Sequence, residues 1–181
     1  MTTLEQRIER IEHRIEITEL IARYCFTLDL RDIDALMGCF TEDAEFRRSD
    51  GTFESGRDKL RQYYIDNLKI MGPTLHSPQG NLIIEIDGPH TASSRHYGLA
   101  EHAVNDELVV AAMTYHHSYR RVDGSWLISR RVVDFWYFAA ANDLIDHYGT
   151  RQDHWWRGTP GPQWPFAAET YKNFVATYAT P

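Results

Sequence analysis

Long apolar runs are missing from this 181-residue chain, whose most extended stretch, Leu108-Val109-Val110-Ala111-Ala112-Met113, is far shorter than the ~20 residues a membrane-spanning helix needs. No basic segment leads into an apolar core at the start of the chain, so no secretory leader is expected and a cytoplasmic location is the expectation. Cysteine is scarce: Cys25 and Cys39 are the only two, without CxxC spacing, which excludes a disulfide scaffold and reads as reduced core residues. Basic charge is short as well, with 19 Lys and Arg against 26 Asp and Glu and a net charge of −7. Phosphate backbones need a concentrated positive surface, so no nucleic-acid partner is expected. No internal repeat and no flexible linker divides the chain.

What is present suits a single domain, since 43% hydrophobic and 13% aromatic residues can fill one core at this length. From Leu4 to about Leu28 apolar residues recur mostly three or four apart, at Ile8, Ile11, Ile15, Leu20, Ile21, Tyr24, Cys25 and Leu28, which predicts an amphipathic helix. Asp29 to Asp32 break it, and a second helix over Ile33–Phe40 is expected to stop at Thr41-Glu42-Asp43. Residues 44–55 read as a small hairpin around Ser49-Asp50-Gly51, and Gly56 opens a third helix from Arg57 to about Ile70. Beyond the Met71-Gly72-Pro73 breaker come strands at Asn81–Ile86, Thr91–Val104, Leu108–Arg121 and Trp126–Tyr137, the last three joined by loops at Asn105-Asp106-Glu107 and Asp123-Gly124-Ser125. Helices followed by long antiparallel strands define an α+β domain, with the helices on one side of a curved sheet. Residues 140–181 form an aromatic-rich C-terminal extension that holds Trp155, Trp156 and Trp164 and a last helical stretch at Ala167–Tyr178.

The pieces Tyr24-x4-Asp29-x4-Asp34-x-Leu36, Phe40-Thr41-Glu42-Asp43-Ala44, Gly56-Arg57-Asp58 and Tyr119-Arg120-Arg121-Val122-Asp123-Gly124-Ser125-Trp126 occur in an order that resembles the SnoaL-like branch of the nuclear transport factor 2 (NTF2-like) superfamily. The resemblance implies a cone, three N-terminal helices packed in a strongly curved, mainly antiparallel sheet around an open-ended pocket. Within the superfamily the chain looks most like the lyases that include scytalone dehydratase, the hexachlorocyclohexane dehydrochlorinase and the bile-acid 7α-dehydratase. That likeness implies a cofactor-independent, metal-free lyase carrying out a dehydratase-type β-elimination on a small hydrophobic or aromatic substrate. It also implies a homotrimer, with a dimer as the alternative. In these lyases an aspartate ending the first helix orients a histidine at the start of the strand after the third helix, and the matching positions are Asp29 and His76. Tyr24 matches a polar residue five positions before that aspartate, and Arg131 matches an arginine in the last strand. His102 or His96 matches a second histidine.

Each of these residues also has a plainer reading. Asp29 suits a cap for the helix that follows it; His76 suits a solvated loop or a satisfied core position; Tyr24 continues the buried stripe of its helix. Arg131, in an otherwise apolar strand, needs either an ion-pair partner such as Asp134 or an anion from outside. Alternation along Met113–Tyr119 lets only one of His116 and His117 face inward, and the set Met113, Tyr115 and His117 is expected to bind substrate together with His102 and Phe135. The histidines lack HxH and HExxH spacing, so no metal site is expected. Rival functions on the same cone are a polyketide cyclase, a ketosteroid-type isomerase, and a non-catalytic module such as the small subunit of a ring dioxygenase.

Overall fold

The computed structural model describes residues 3–78, 80–146 and 169–178. Helix α1 (Leu4–Asp29) opens on a capping box, in which the Thr3 hydroxyl accepts from the Gln6 N–H and the Gln6 side chain accepts from the Thr3 N–H. From His13 onward it buries Ile17, Leu20, Ile21, Tyr24 and Leu28 in the core. Helix α2 (Ile33–Met37) is capped by the Asp32 carboxylate, which accepts from the Ala35 N–H. The capping role read for Asp29 therefore belongs to Asp32.

The second helix ends earlier than its sequence pattern suggests, because Phe40 already belongs to strand β1 (Phe40–Arg48). The Cys39 carbonyl accepts from the Ile128 N–H at 2.9 Å, and the chain then runs parallel to the last strand. Thr41-Glu42-Asp43 thus lies within the strand, in an irregular stretch between the long-range pairs Phe40–Ile128 and Glu45–Arg130, which local propensity does not reveal. Strand β2 (Phe53–Ser55) closes the expected hairpin and helix α3 (Arg57–Ile70) follows. The remaining elements are β3 (Thr74–Pro78), β4 (Ile83–Ile86), β5 (Thr91–Val104), β6 (Glu107–Val122), β7 (Ser125–Ala140), α4 (Ala141–Asp146) and α5 (Glu169–Tyr178). The sheet order is β2-β1-β7-β6-β5-β3, with β4 also paired to β5. All pairings except β1–β7 are antiparallel, which makes this an α+β fold. Trp155, Trp156 and Trp164 of the C-terminal extension lie outside the described residues. No helix among the described residues is long and apolar enough to cross a membrane.

The β5–β6 and β6–β7 turns contain two residues each, Asn105-Asp106 and Asp123-Gly124, all at positive φ (51°, 63°, 49° and 82°). These are the left-handed positions that two-residue hairpin turns require, and Asn, Asp and Gly tolerate them best. The loops are consequently shorter, and the strands longer, than the sequence pattern alone implies.

Strand β7 changes face twice. Its register against β6 shifts between the Ser118–Arg130 and Tyr119–Ile128 pairs, and again between Ala112–Tyr137 and Met113–Phe135. Each shift inserts one extra residue, so the inward set moves from Trp126 and Ile128 to Arg131, Val133 and Phe135, and then to Phe138.

Gly98 on β5 faces the same interior. A Cβ there would stand 2.4 Å from the Tyr115 ring, which His96, His117 and Arg131 already hem in. Gly98→Ala is expected to destabilise the fold by about 1–3 kcal/mol through overpacking, read as a lower midpoint in urea unfolding.

Candidate active site

Asp29 is the last residue of α1, and β3 crosses that helix end. The Asp29 Oδ1 lies 2.5 Å from His76 Nδ1, and Oδ2 accepts the His76 backbone N–H at 2.9 Å. One carboxylate thus fixes both the ring and the backbone of the histidine. Burial by itself would raise the Asp29 carboxyl, but the hydrogen bonds from the His76 ring and backbone outweigh it and hold the group below the ordinary carboxylate range. An ionised Asp29 accepts the Nδ1–H, which leaves Nε2 of this cavity-lining imidazole as the nitrogen able to take a proton.

Arg31 brings β3 to that spot. It adopts the left-handed backbone conformation (φ 62°) just past the helix. Its guanidinium donates to the Thr74 hydroxyl at 2.8 Å and to the carbonyls of Leu28 and Gly72. Thr74 in turn donates to Asp29 Oδ1 at 3.4 Å. Sequence reading missed Arg31, and the one signal for it was a large charged residue inside an Asp-rich break.

A cavity of about 100 Å³ lies beside His76. Its lining includes Tyr24, Met113, Tyr115, Phe135, His102 and Arg131 of the expected set. Helix α3 adds Tyr63, Tyr64 and Asn67, while β1 contributes Phe46 and Arg48 and β7 contributes Phe138. The α3 contribution was legible in the sequence as a three- or four-residue spacing on one helix face. Among the described residues no carboxylate lines this cavity.

His102 faces His76 edge-on at a ring-centroid distance of 5.5 Å, and its Nδ1 is buried without a hydrogen-bond partner. His96 lies one layer back, against Tyr115 and His117. Of the two candidates for a second histidine, His102 is therefore the one on the cavity wall.

Arg131 is 4% exposed and pairs with no carboxylate among the described residues. Asp134, offered above as its partner, faces the other side of β7 and meets His116 at 3.4 Å. The Arg131 guanidinium instead lies between the rings of Tyr24 and Tyr115, 4.2 and 4.1 Å from their centroids, in a cation–π sandwich. Its Nη1 donates to His117 Nε2 at 2.8 Å. Guanidinium can only donate, so His117 Nε2 accepts and its proton sits on Nδ1. That N–H is directed to the Tyr119 hydroxyl at 3.0 Å, which passes its own proton to Ser94 Oγ at 2.7 Å. Burial first, and then the charge of Arg131, hold His117 well below the usual histidine range. His117, expected to touch substrate, is absent from the cavity lining and stands behind Arg131 as its support. The second guanidinium of the cavity, on Arg48, is neutralised by Asp50 at 3.1 Å. Tyr24 and Tyr64 share a hydrogen bond of 3.0 Å, and burial raises both phenols, Tyr24 well above its ordinary value and Tyr64 up to about 12. Both remain neutral donors near neutral pH.

Burial also holds His96 and His102 down to about 4, helped by Arg131 for the first and by His76 for the second. An unfolded histidine titrates near ~6.5, so between these values the unfolded chain binds more protons and stability falls as the pH falls. Acidification from pH 7 to pH 5 is expected to cost roughly 2 kcal/mol for each of the two. Urea unfolding at both pH values tests this, and His96→Gln or His102→Gln should each flatten the dependence.

A model of the SnoaL-like domain matches residues 9–132. No curated protein matches the chain. Among solved structures, a protein from Novosphingobium aromaticivorans provisionally named a scytalone dehydratase is 22% identical over 71% of this chain and 87% of its own, with a TM-score of 0.67. The hexachlorocyclohexane dehydrochlorinase LinA type 2 is 21% identical over 74% of this chain and 92% of its own, with a TM-score of 0.69. A second N. aromaticivorans protein, provisionally named an aromatic-ring hydroxylase, is 28% identical over 74% of this chain and 96% of its own, with a TM-score of 0.67.

Proposed function

Since the chain belongs to the SnoaL-like domain family, we propose that it is a lyase needing no cofactor, which eliminates water or another small leaving group from a hydrophobic or aromatic substrate. The observation that carries this reading is the 2.5 Å contact between Asp29 and His76 on the wall of an aromatic cavity. A lone imidazole in a protein is an undirected base; one whose Nδ1–H is held by a half-buried carboxylate presents a single basic nitrogen in a fixed direction.

In the proposed step His76 Nε2 takes a proton from a carbon next to an electron-withdrawing group. The C–H electron pair becomes the new double bond, and the β-substituent leaves with its own bonding pair. Negative charge grows on the activating group and on the leaving atom. Arg131 offers a fixed positive charge to it, and the hydrogen-bonded Tyr24–Tyr64 pair offers the one hydroxyl proton that the pair does not use internally. Where the leaving group is hydroxide, a phenol or the newly protonated imidazole supplies the proton that makes it water. An isomerase of the ketosteroid type would want a carboxylate as its base inside the cavity, and none lines it among the described residues.

The test is turnover of a panel of small aryl β-hydroxy carbonyl compounds by the purified chain without added metal or cofactor. The expected result is an unsaturated product lighter by one water, seen by mass spectrometry and ultraviolet absorbance. Double-bond migration without loss of mass would favour the isomerase reading instead, and copurification with a large iron–sulfur subunit would favour the non-catalytic one.

A further inference from the structure

Helix α1 carries two apolar stripes, and the described residues of its own domain cover only one of them. His13, Ile17, Leu20 and Tyr24 enter the core. Leu4, Ile8, Ile11 and Ile15 lie on another face and are 70%, 48%, 56% and 53% exposed. Every residue from Thr3 to Glu12 is exposed, so this half of the helix stands clear of the rest of the described structure. Isolated surface isoleucines are ordinary, but four large apolar side chains in one row on a well-capped helix form a seam that no described residue fills.

The spacing of the exposed row is four, three, four, which is a heptad with Ile8 and Ile15 at the a positions and Leu4 and Ile11 at d. The flanks then follow a rule: Arg7 and Arg14 fall at g, and Glu5, Glu12 and Glu19 fall at e. We infer that this row is the seam of a parallel coiled coil between copies of this chain.

Charge selects both the occupant and its direction. In a parallel pair the g residue of one helix meets the e residue of the next heptad on the other, here Arg7 with the partner's Glu12 and Arg14 with the partner's Glu19, all attractive. In an antiparallel pair g meets g and e meets e, which sets Arg against Arg and Glu against Glu. Arg14 is held at the edge of the seam by donating to the Ile84 carbonyl at 2.7 Å, with its other donors left over. Glu9 and Glu16, which flank His13, sit away from the seam at b. Both a positions are isoleucine while the d positions are Leu4 and Ile11, a mixture of the patterns that favour two strands and three. Two heptads alone would be marginal in water, but nucleation is already complete here because the core and the Thr3 cap hold the helix formed.

Leu4→Cys in the full chain tests the inference. Under mild oxidation at low protein concentration a parallel, in-register seam brings equivalent cysteines together, and a covalent dimer is expected on a non-reducing gel; the unsubstituted chain, whose Cys39 is buried, serves as the baseline. Adding Arg7→Glu and Arg14→Glu makes every g–e' pair repulsive and should abolish the cross-link. Adding Glu12→Arg and Glu19→Arg as well restores attraction and should bring it back. Absence of the cross-link in the Leu4→Cys chain overturns the inference, as does a yield indifferent to the charge swaps. If removing residues 147–181 were needed to reveal the cross-link, the row would belong to the chain's own C-terminal segment.

Discussion

His76→Gln is expected to lower the rate of elimination by about 10³-fold, within the ~10²–10⁴ contributed by a positioned general base. Glutamine retains much of the bulk and polarity of the imidazole, so the cavity should keep its shape while losing its one directed proton acceptor. Asp29→Asn should lower the rate on the same scale by a different route. An amide nitrogen facing Nδ1 would donate where the carboxylate accepts, which turns the ring to the tautomer with its proton on Nε2 and removes the basic lone pair from the cavity; in serine proteases the matching change costs about 10⁴-fold in kcat. The double variant should be no slower than either single one, because the two residues act as a unit. Single-turnover rates of the three variants check this, with circular dichroism to show that the β3 attachment survives. Turnover within threefold of the parent in both single variants would sink the dyad.

Arg131→Met is expected to lower kcat/KM by about 10²-fold, comparable with removing one preorganised donor from a developing oxyanion. Stability should move little, since two effects oppose one another. A buried charge without a carboxylate partner is costly, and an apolar side chain of similar length is often neutral or better in such a place. Against that, His117 Nε2 loses its donor, and an unsatisfied buried acceptor costs about 1–3 kcal/mol. A purely structural arginine would give the reverse outcome, a large fall in the unfolding midpoint with kcat/KM of the surviving folded protein intact. Arg131→Lys sharpens the reading: an ammonium keeps the charge but not the planar stack between Tyr24 and Tyr115, and intermediate activity is expected.

Arg131 also marks the point at which local pattern gives way to tertiary structure. Alternation carried forward from Trp126 and Ile128 would put Arg130 inside and Arg131 outside. The extra residue in β7 near Ser129 reverses this, and it exists only because β6 and β7 pair with a shift at Ser118. A second shift near Trp136 lets Phe135 and Phe138 both face the cavity. Along β6, where no residue moves out of phase, the alternating set Met113, Tyr115 and His117 is buried throughout. Period-two patterning is reliable as far as the next bulge, and a bulge is a property of two strands.

The sequence by itself determined the α+β class, the later part of the core stripe of α1 (Leu20, Ile21, Tyr24 and Leu28, though not Ile8, Ile11 and Ile15, which are exposed), the two hairpins with their Asn, Asp and Gly turns, and the polar break that ends α1. These rest on interactions within a few residues of chain, the range over which propensity, periodicity and turn chemistry act. Tertiary structure decided the rest. It gave the cap of α2 to Asp32, drew Phe40 out of a helix into a parallel strand, and used Arg31 to bring Thr74–His76 down onto Asp29. It also set His117 behind Arg131, where a binding residue was expected. The physical reason is the same in each case: a hydrogen bond or ring contact that spans tens of residues leaves no periodic mark in the chain, and it becomes visible only once the strands have paired and the helices have packed against them.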